Sequence, residues 1–198
     1  MTPEILWFAP AGVILFGYLL GAIPFGILLT RAAGAGDLRT IGSGNIGATN
    51  VLRTGRKGLA AATLILDALK GAAAVLIGEY LSPGSGVVVG AAAFIGHCYP
   101  VWLRFRGGKG IATLLGVVAA LSWPSGLVFA GVWLGMLAAF RISSLAGMAA
   151  AIAAPVALAW FDRFDAVLPV IALVLIVLWR HRQNVDRLLA GTEPRIGG

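Results

Sequence analysis

The chain has 198 residues, 59% of them hydrophobic and 12% charged, with a mean hydropathy of +0.93 and a formal net charge of +7. That balance excludes a water-soluble globule and describes a polytopic membrane protein. The basic residues sit in short segments between apolar runs, so the charge reads as topology signal and anion chemistry, not as a nucleic-acid surface. A single cysteine, Cys98, excludes an internal disulfide and any multi-cysteine metal site.

The first apolar run, Phe8 to Thr30, follows Glu4 with no preceding Lys or Arg, which predicts a retained helix and not a cleavable signal peptide. Further runs cover Leu59 to Leu81, Gly86 to Trp102, Ile111 to Ser122, Gly126 to Phe140, Leu145 to Trp160 and Ala166 to Trp179. They predict an all-α integral membrane protein of seven transmembrane helices, folded as a single polytopic domain over residues 1–198. The fourth and fifth runs are short, and Trp123, Pro124, Ser125 and Gly126 divide them; one helix from Ile111 to Phe140 is the competing count. Parity decides between the two. With seven spans, segments 31–58, 103–110, 140–144 and 180–198 share one face and hold 13 of the 15 Lys and Arg residues, leaving out Lys70 and Arg163. The positive-inside rule then sets the N-terminus outside and the C-terminus in the cytoplasm. Merging the two runs would expose Arg180, Arg182, Arg187 and Arg195 on the wrong side.

Polar chemistry concentrates in these segments, which the topology makes neighbours able to form one composite site. Gly42 to Gly58, GSGNIGATNVLRTGRKG, offers glycine N–H groups, Ser43, Thr49 and two asparagines beside Arg53, Arg56 and Lys57, a set suited to phosphate. Leu103 to Gly110, LRFRGGKG, lets the backbone approach a ligand at Gly107 and Gly108, places Lys109 as a point charge and opens the fourth helix. In Trp179 to Leu189, His181 and Asn184 lie three apart and share a helix face, and Arg141 to Ser144 adds hydroxyls. Gly12, Gly17, Gly21 and Gly26 read as helix-packing residues. His97, in GHCYP, reads first as an interfacial structural histidine. Asp67 and Lys70, three apart in an apolar helix, can neutralise each other and read as a structural pair or as positioning the first loop, ahead of direct chemistry.

Three patterns mislead. Gly42, Gly44 and Gly47 satisfy G-x-G-x-x-G without the strand a dinucleotide fold needs. GGKG lacks the spacing and the Ser or Thr of a Walker loop. His181 and Asp186 have an H-x-x-x-x-D spacing, but five residues apart on a helix they diverge.

The segments SGNIGATNVLR (Ser43 to Arg53), GHCYPVWLRFRGGKGIAT (Gly96 to Thr113) and HRQNVDRLLAGTE (His181 to Glu193), with Asp67 to Gly71 as D-x-x-K-G, closely resemble the bacterial acyl-phosphate-dependent glycerol-3-phosphate acyltransferases across the whole chain. The resemblance implies an enzyme of the cytoplasmic (inner) membrane, with its active site at the cytoplasmic face. It would transfer a fatty acyl group from acyl phosphate to the 1-hydroxyl of sn-glycerol 3-phosphate, giving lysophosphatidate and phosphate in the first acylation of phospholipid synthesis. It implies Ser43, Arg53, Lys109, His181 and Asn184 as catalytic residues, and Gly44, Asn45, Gly47, Asn50, Gly107, Gly108, Gly110 and Ser144 as substrate- or phosphate-binding residues. Asp67, Lys70, His97, Ser143 and Glu193 would support them. The expected partners are the two substrates, membrane lipid and the soluble enzyme that forms acyl phosphate; no cofactor, metal or nucleic acid is expected.

Acyl phosphate is a mixed anhydride with a good leaving group, so proximity and charge stabilisation are the main requirements. The cytoplasmic segments offer only His181, Asp37, Asp186 and Glu193 as bases besides the membrane-edge His97. That scarcity predicts that a substrate phosphate oxygen takes the proton late and that His181 positions the acceptor. An organic-phosphate transporter is the alternative reading; its binding groups would lie near the bilayer midplane, where only Asp67 and Lys70 are found. A metal-dependent phospholipid transferase would need a carboxylate cluster that the scattered acids do not provide.

Overall fold

The first apolar run is not one helix. In the computed structural model, which describes residues 3–197 with side chains from Ala11 onward, α1 (Pro3–Gly21) stops and α2 (Phe25–Ala32) restarts at an angle of 41°. The cause is Pro24, which lacks an N–H to donate and pushes Ile23 out of the helical region. The expected places of Glu4 and Phe8 lie outside the described side chains.

The remaining helices are α3 (Ala48–Leu52), α4 (Lys57–Leu81), α5 (Gly86–Cys98), α6 (Ile111–Leu121), α7 (Trp123–Phe140), α8 (Ser143–Trp160), α9 (Phe164–Arg180) and α10 (Arg182–Leu189). Single 3-10 turns lie at Leu38–Thr40 and Val101–Leu103, and no strand occurs among the described residues. Of these segments, four are long and apolar enough to cross a membrane, or up to six if each of two bent pairs, α1 with α2 and α9 with α10, is one span. At 11 residues α6 is an apolar helix of only about 16 Å. The third run ends earlier than its hydropathy suggested, at Cys98, because Pro100 follows and starts the 3-10 turn.

The chain forms two compact units, the first through Val117 and the second from Val118. In the first, α5 packs between α1 and α4 through small residues, where an apolar solvent leaves close backbone approach as the main source of association. A Cβ built on Gly21 would fall 1.9 Å from the Ala93 carbonyl oxygen, and one on Gly96 would fall 2.1 Å from that of Tyr18. Gly71 and Gly116 make the matching contacts between α4 and α6, against Thr113 and Ala68. Gly17 and Gly21 are thus the packing glycines that the sequence suggests; Gly12 meets no neighbour, and Gly26 serves a different purpose, described below.

In the second unit, α8 packs against α7 and α9. Its buried face is Ala146, Gly147, Ala150, Ala151, Ala154 and Ala157, while Ile152, Val156 and Trp160 are exposed on the other. Ser122 ends the competing idea of one helix from Ile111 to Phe140. It leaves the helical region at φ −156° and ψ 103° and caps α7, its Oγ accepting from the Ser125 N–H at 3.4 Å. A Cβ on Gly126 would sit 2.6 Å from that of Ala119, whereas a continuous helix separates residues seven apart by about 10 Å.

Candidate functional site

Asn50 organises the first loop. It is 2% exposed on α3, where its Nδ2 donates to the carbonyls of Leu38 and Ile41 at 2.9 Å each, while its Oδ1 accepts from the Ser43 N–H at 3.2 Å. One buried amide thereby pairs the Ser43 N–H, adds a second donor to two turn carbonyls that already accept from the Ile41 and Gly44 N–H groups, and leaves Ser43 exposed. Asn45 accepts from the Gly47 N–H at 3.0 Å and tightens the next turn. Gly42 lies under Arg53: at φ +53° only glycine is unstrained, and an added Cβ would come 2.7 Å from Arg53 Nη1. Ser43 therefore follows directly on the glycine that the Arg53 guanidinium covers. Gly26 seats α2 against this loop, since a Cβ there would lie 2.0 Å from the Ile46 carbonyl oxygen. Asn50→Leu is expected to strand the Ser43 N–H at about 1–3 kcal/mol and to displace Ser43, so that activity falls at least as far as in Ser43→Ala; unchanged kinetics and thermal midpoint would contradict this assignment.

The second loop is folded onto the end of α5. The Gly107 and Gly108 N–H groups donate to the carbonyls of Cys98 and His97 at 3.1 and 3.0 Å. Both glycines are buried, Lys109 is half-buried, and Gly110, at φ +85°, lies where a Cβ would strike the fully buried Phe94 ring at 2.1 Å. Beneath this loop, Asp67 Oδ1 is 2.6 Å from Lys70 Nζ and 3.6 Å from His97 Nδ1, and Lys70 Nζ donates to the Ile23 carbonyl at 2.8 Å.

The second unit holds a separate cluster around Glu193. Ser144 Oγ and Asn184 Nδ2 donate to Glu193 Oε1 at 2.6 and 2.5 Å, and Arg187 Nε donates to Oε2 at 2.7 Å. Burial works against the Glu193 charge, but these hydrogen bonds and the Arg187 charge outweigh it and hold the carboxyl below its ordinary range. His181, buried where α9 meets α10, has Nδ1 2.8 Å from the Val177 carbonyl. A carbonyl only accepts, so Nδ1 carries the proton and Nε2 is the acceptor atom of the neutral ring. Arg141, at φ +59°, grips the C-terminal tail, donating to the Ile196 and Gly197 carbonyls at 3.0 and 2.8 Å.

Within the first unit the structure brings Ser43, Asn50 and Arg53 into one group and Asp67, Lys70, His97, Gly107 and Gly108 into another. Within the second it joins Ser144, Asn184 and Glu193. Ser143 and Ser144 belong to the first turn of α8 and not to a loop. Arg187 and Arg141 were missed by sequence reasoning. Arg187 carried a signal in its place between Asn184 and Glu193, whereas Arg141 reaches 55 residues ahead along the chain. Of the other bases, Asp37 is held well below the usual carboxylate range by hydrogen bonds from Arg39, its side chain 2.5 Å away, and Asp186 is exposed, apart from the buried His181.

Apolar helices that end in glycine-rich, basic and amide-bearing segments define an integral membrane protein with its polar chemistry at helix ends. Residues 11–191 match the family model described as glycerol-3-phosphate acyltransferase. A glycerol-3-phosphate acyltransferase of Mesorhizobium japonicum is 59% identical over 184 residues, 93% of this chain and 94% of that protein, and one of Maricaulis maris is 60% identical over 184 residues, 92% and 85%. Among solved structures, the crystal structure of PlsY, an integral membrane glycerol 3-phosphate acyltransferase, is similar in its glycerol 3-phosphate form with a TM-score of 0.88 and 39% identity over 95% of this chain and 96% of that one. Its lysophosphatidic acid form gives 0.86 and 38%, covering 95% of each chain. The chain belongs to the glycerol-3-phosphate acyltransferase family, and it is an integral membrane acyltransferase.

Proposed function

We propose that the protein transfers a fatty acyl group from acyl phosphate to the 1-hydroxyl of sn-glycerol 3-phosphate at the cytoplasmic face of a bacterial inner membrane. The carrying observation is the first loop, where Asn50 holds Ser43 next to the glycine that the Arg53 guanidinium covers, in a chain similar to a protein crystallised with glycerol 3-phosphate and with lysophosphatidic acid. Those two compounds differ by one acyl group. Seven spans, counting α6 and both bent pairs, go with this reading and leave the N-terminus outside.

In the proposed reaction the acceptor hydroxyl oxygen bonds to the acyl carbonyl carbon, the bond from that carbon to the phosphate oxygen breaks, and inorganic phosphate leaves with the hydroxyl proton. Ser43, Arg53, Lys109 and the backbone from Gly44 to Gly47 hold phosphate; His181, Asn184 and Ser144 orient the other substrate. Holding both reactants in attack geometry supplies much of the acceleration, and positive charge at the reacting phosphate supplies more. Asp37 and Glu193 are already engaged by arginines, so neither is available as a base. His181→Gln should keep kcat within a few-fold of wild type; a loss of roughly 10² to 10⁴, restored by imidazole, would instead make His181 a general base. The decisive assay is purified protein with glycerol 3-phosphate and either acyl phosphate or acyl-CoA, followed for lysophosphatidate. Product from acyl-CoA alone would overturn the donor, and no product from either would overturn the reaction.

A further inference from the structure

We propose that Asp67, Lys70 and His97 form a buried strut that sets both phosphate-type loops of the first unit from one point, with His97 the positioning residue for the Lys109 loop. The inference rests on reading Ser43 and Lys109 as substrate-binding groups. Burying an ion pair in an apolar helix is expensive, and a pair serving only to neutralise itself would need no further contacts. This one has them on both sides. Lys70 Nζ donates to the Ile23 carbonyl at the α1–α2 break and lies 5.6 Å from the centre of the Phe25 ring, the first residue of α2. One residue on, Gly26 meets the Ile46 carbonyl of the Ser43 loop. On the other side, Asp67 faces His97 Nδ1 at 3.6 Å. The opposite edge of that imidazole lies directly under Gly108, where a built Cβ would come 2.0 Å from Nε2. Trp102 Nε1 and Tyr18 Oη brace the same region, donating to the Ala22 and Tyr99 carbonyls at 2.7 and 2.9 Å.

The two neighbouring glycines separate a positioning role from a general need for space. The three atoms nearest a Cβ on Gly108 all belong to the His97 ring, whereas one on Gly107 would meet the His97 carbonyl oxygen, Pro100 Cδ and the Cys98 carbonyl oxygen at 2.1, 2.5 and 2.8 Å. Gly108→Ala and Gly107→Ala are each expected to lower kcat/KM on the order of 10²-fold by shifting the loop about an ångström. In a His97→Ala background, Gly108→Ala should lose most of its effect and Gly107→Ala should keep it. His97→Ala and Asp67→Asn should also raise KM for the same phosphorylated substrate as Gly107→Ala does, with a smaller change in kcat. Equal cost of Gly108→Ala in both backgrounds, or KM rising alike for both substrates, would overturn the strut. Where thermal unfolding shows that His97→Ala does not fold, His97→Asn is read in the same way. Wild-type protein without acyl transfer would sink the proposed function, while an active wild type without the suppression pattern sinks this inference alone.

Discussion

Lys109→Ala is expected to reduce turnover by roughly 10² to 10³ in protein that folds normally, the scale associated with removing one group that stabilises developing charge. The loop geometry gives the reason that no neighbour compensates. Gly107 and Gly108 are pinned to the end of α5 and Gly110 is pinned against Phe94, so the residue between them has one place from which to project. Lys109→Arg should rescue poorly for the same reason, since a planar fork needs a different approach from a compact ammonium. Steady-state kinetics with acyl phosphate and glycerol 3-phosphate, beside a thermal melt in detergent, would check both. Activity retained in Lys109→Ala would remove the second loop from the reaction.

Glu193→Gln is expected to lower stability. Glu193 accepts from Ser144, Asn184 and Arg187, and a glutamine would set its own NH₂ against at least one of those donors. With the Glu193 charge removed while Arg187 keeps 37% of its side chain exposed, the expected cost is about 1–2 kcal/mol, mostly from the mismatched hydrogen bonds. The pH dependence has a definite sign. The folded pKa of Glu193 lies below its unfolded value near 4.5, so its contribution is complete above that pH and is lost as pH falls through the lower folded value. Thermal midpoints measured from pH 7 down to pH 3 should fall for wild type in that window and fall less for the variant. Superimposable profiles would exclude Glu193 as the centre of its cluster.

Helix content and the polar segments were legible in the sequence because both depend on local composition. The division between α6 and α7 was legible too, although Trp123 to Gly126, read as the divider, form the first turn of α7 and the break itself falls at Ser122. The break at Pro24 was equally local, but the apolar run hid it, since hydropathy is blind to a missing N–H. Arg141 was beyond reach, because its tail contacts join distant parts of the chain. The Asp67–Lys70 pair was recognised, but its contacts with Ile23 and His97 depend on how α4 packs against the α1–α2 break and against α5.

The lengths of α7, α8 and α9 have a further consequence for the lipid around them. At 18, 18 and 17 residues they rise about 27, 27 and 25 Å, a little less than the roughly 30 Å of a hydrocarbon core. Exposed Trp123, Trp160 and Trp179 mark their ends, residues that favour the headgroup level and resist being drawn into the tails. A bilayer matching these anchors thins locally. An amphiphile arriving from such a pinched leaflet has its headgroup already closer to the midplane, which shortens the distance it must be lifted out of its neighbours to meet a polar reactant.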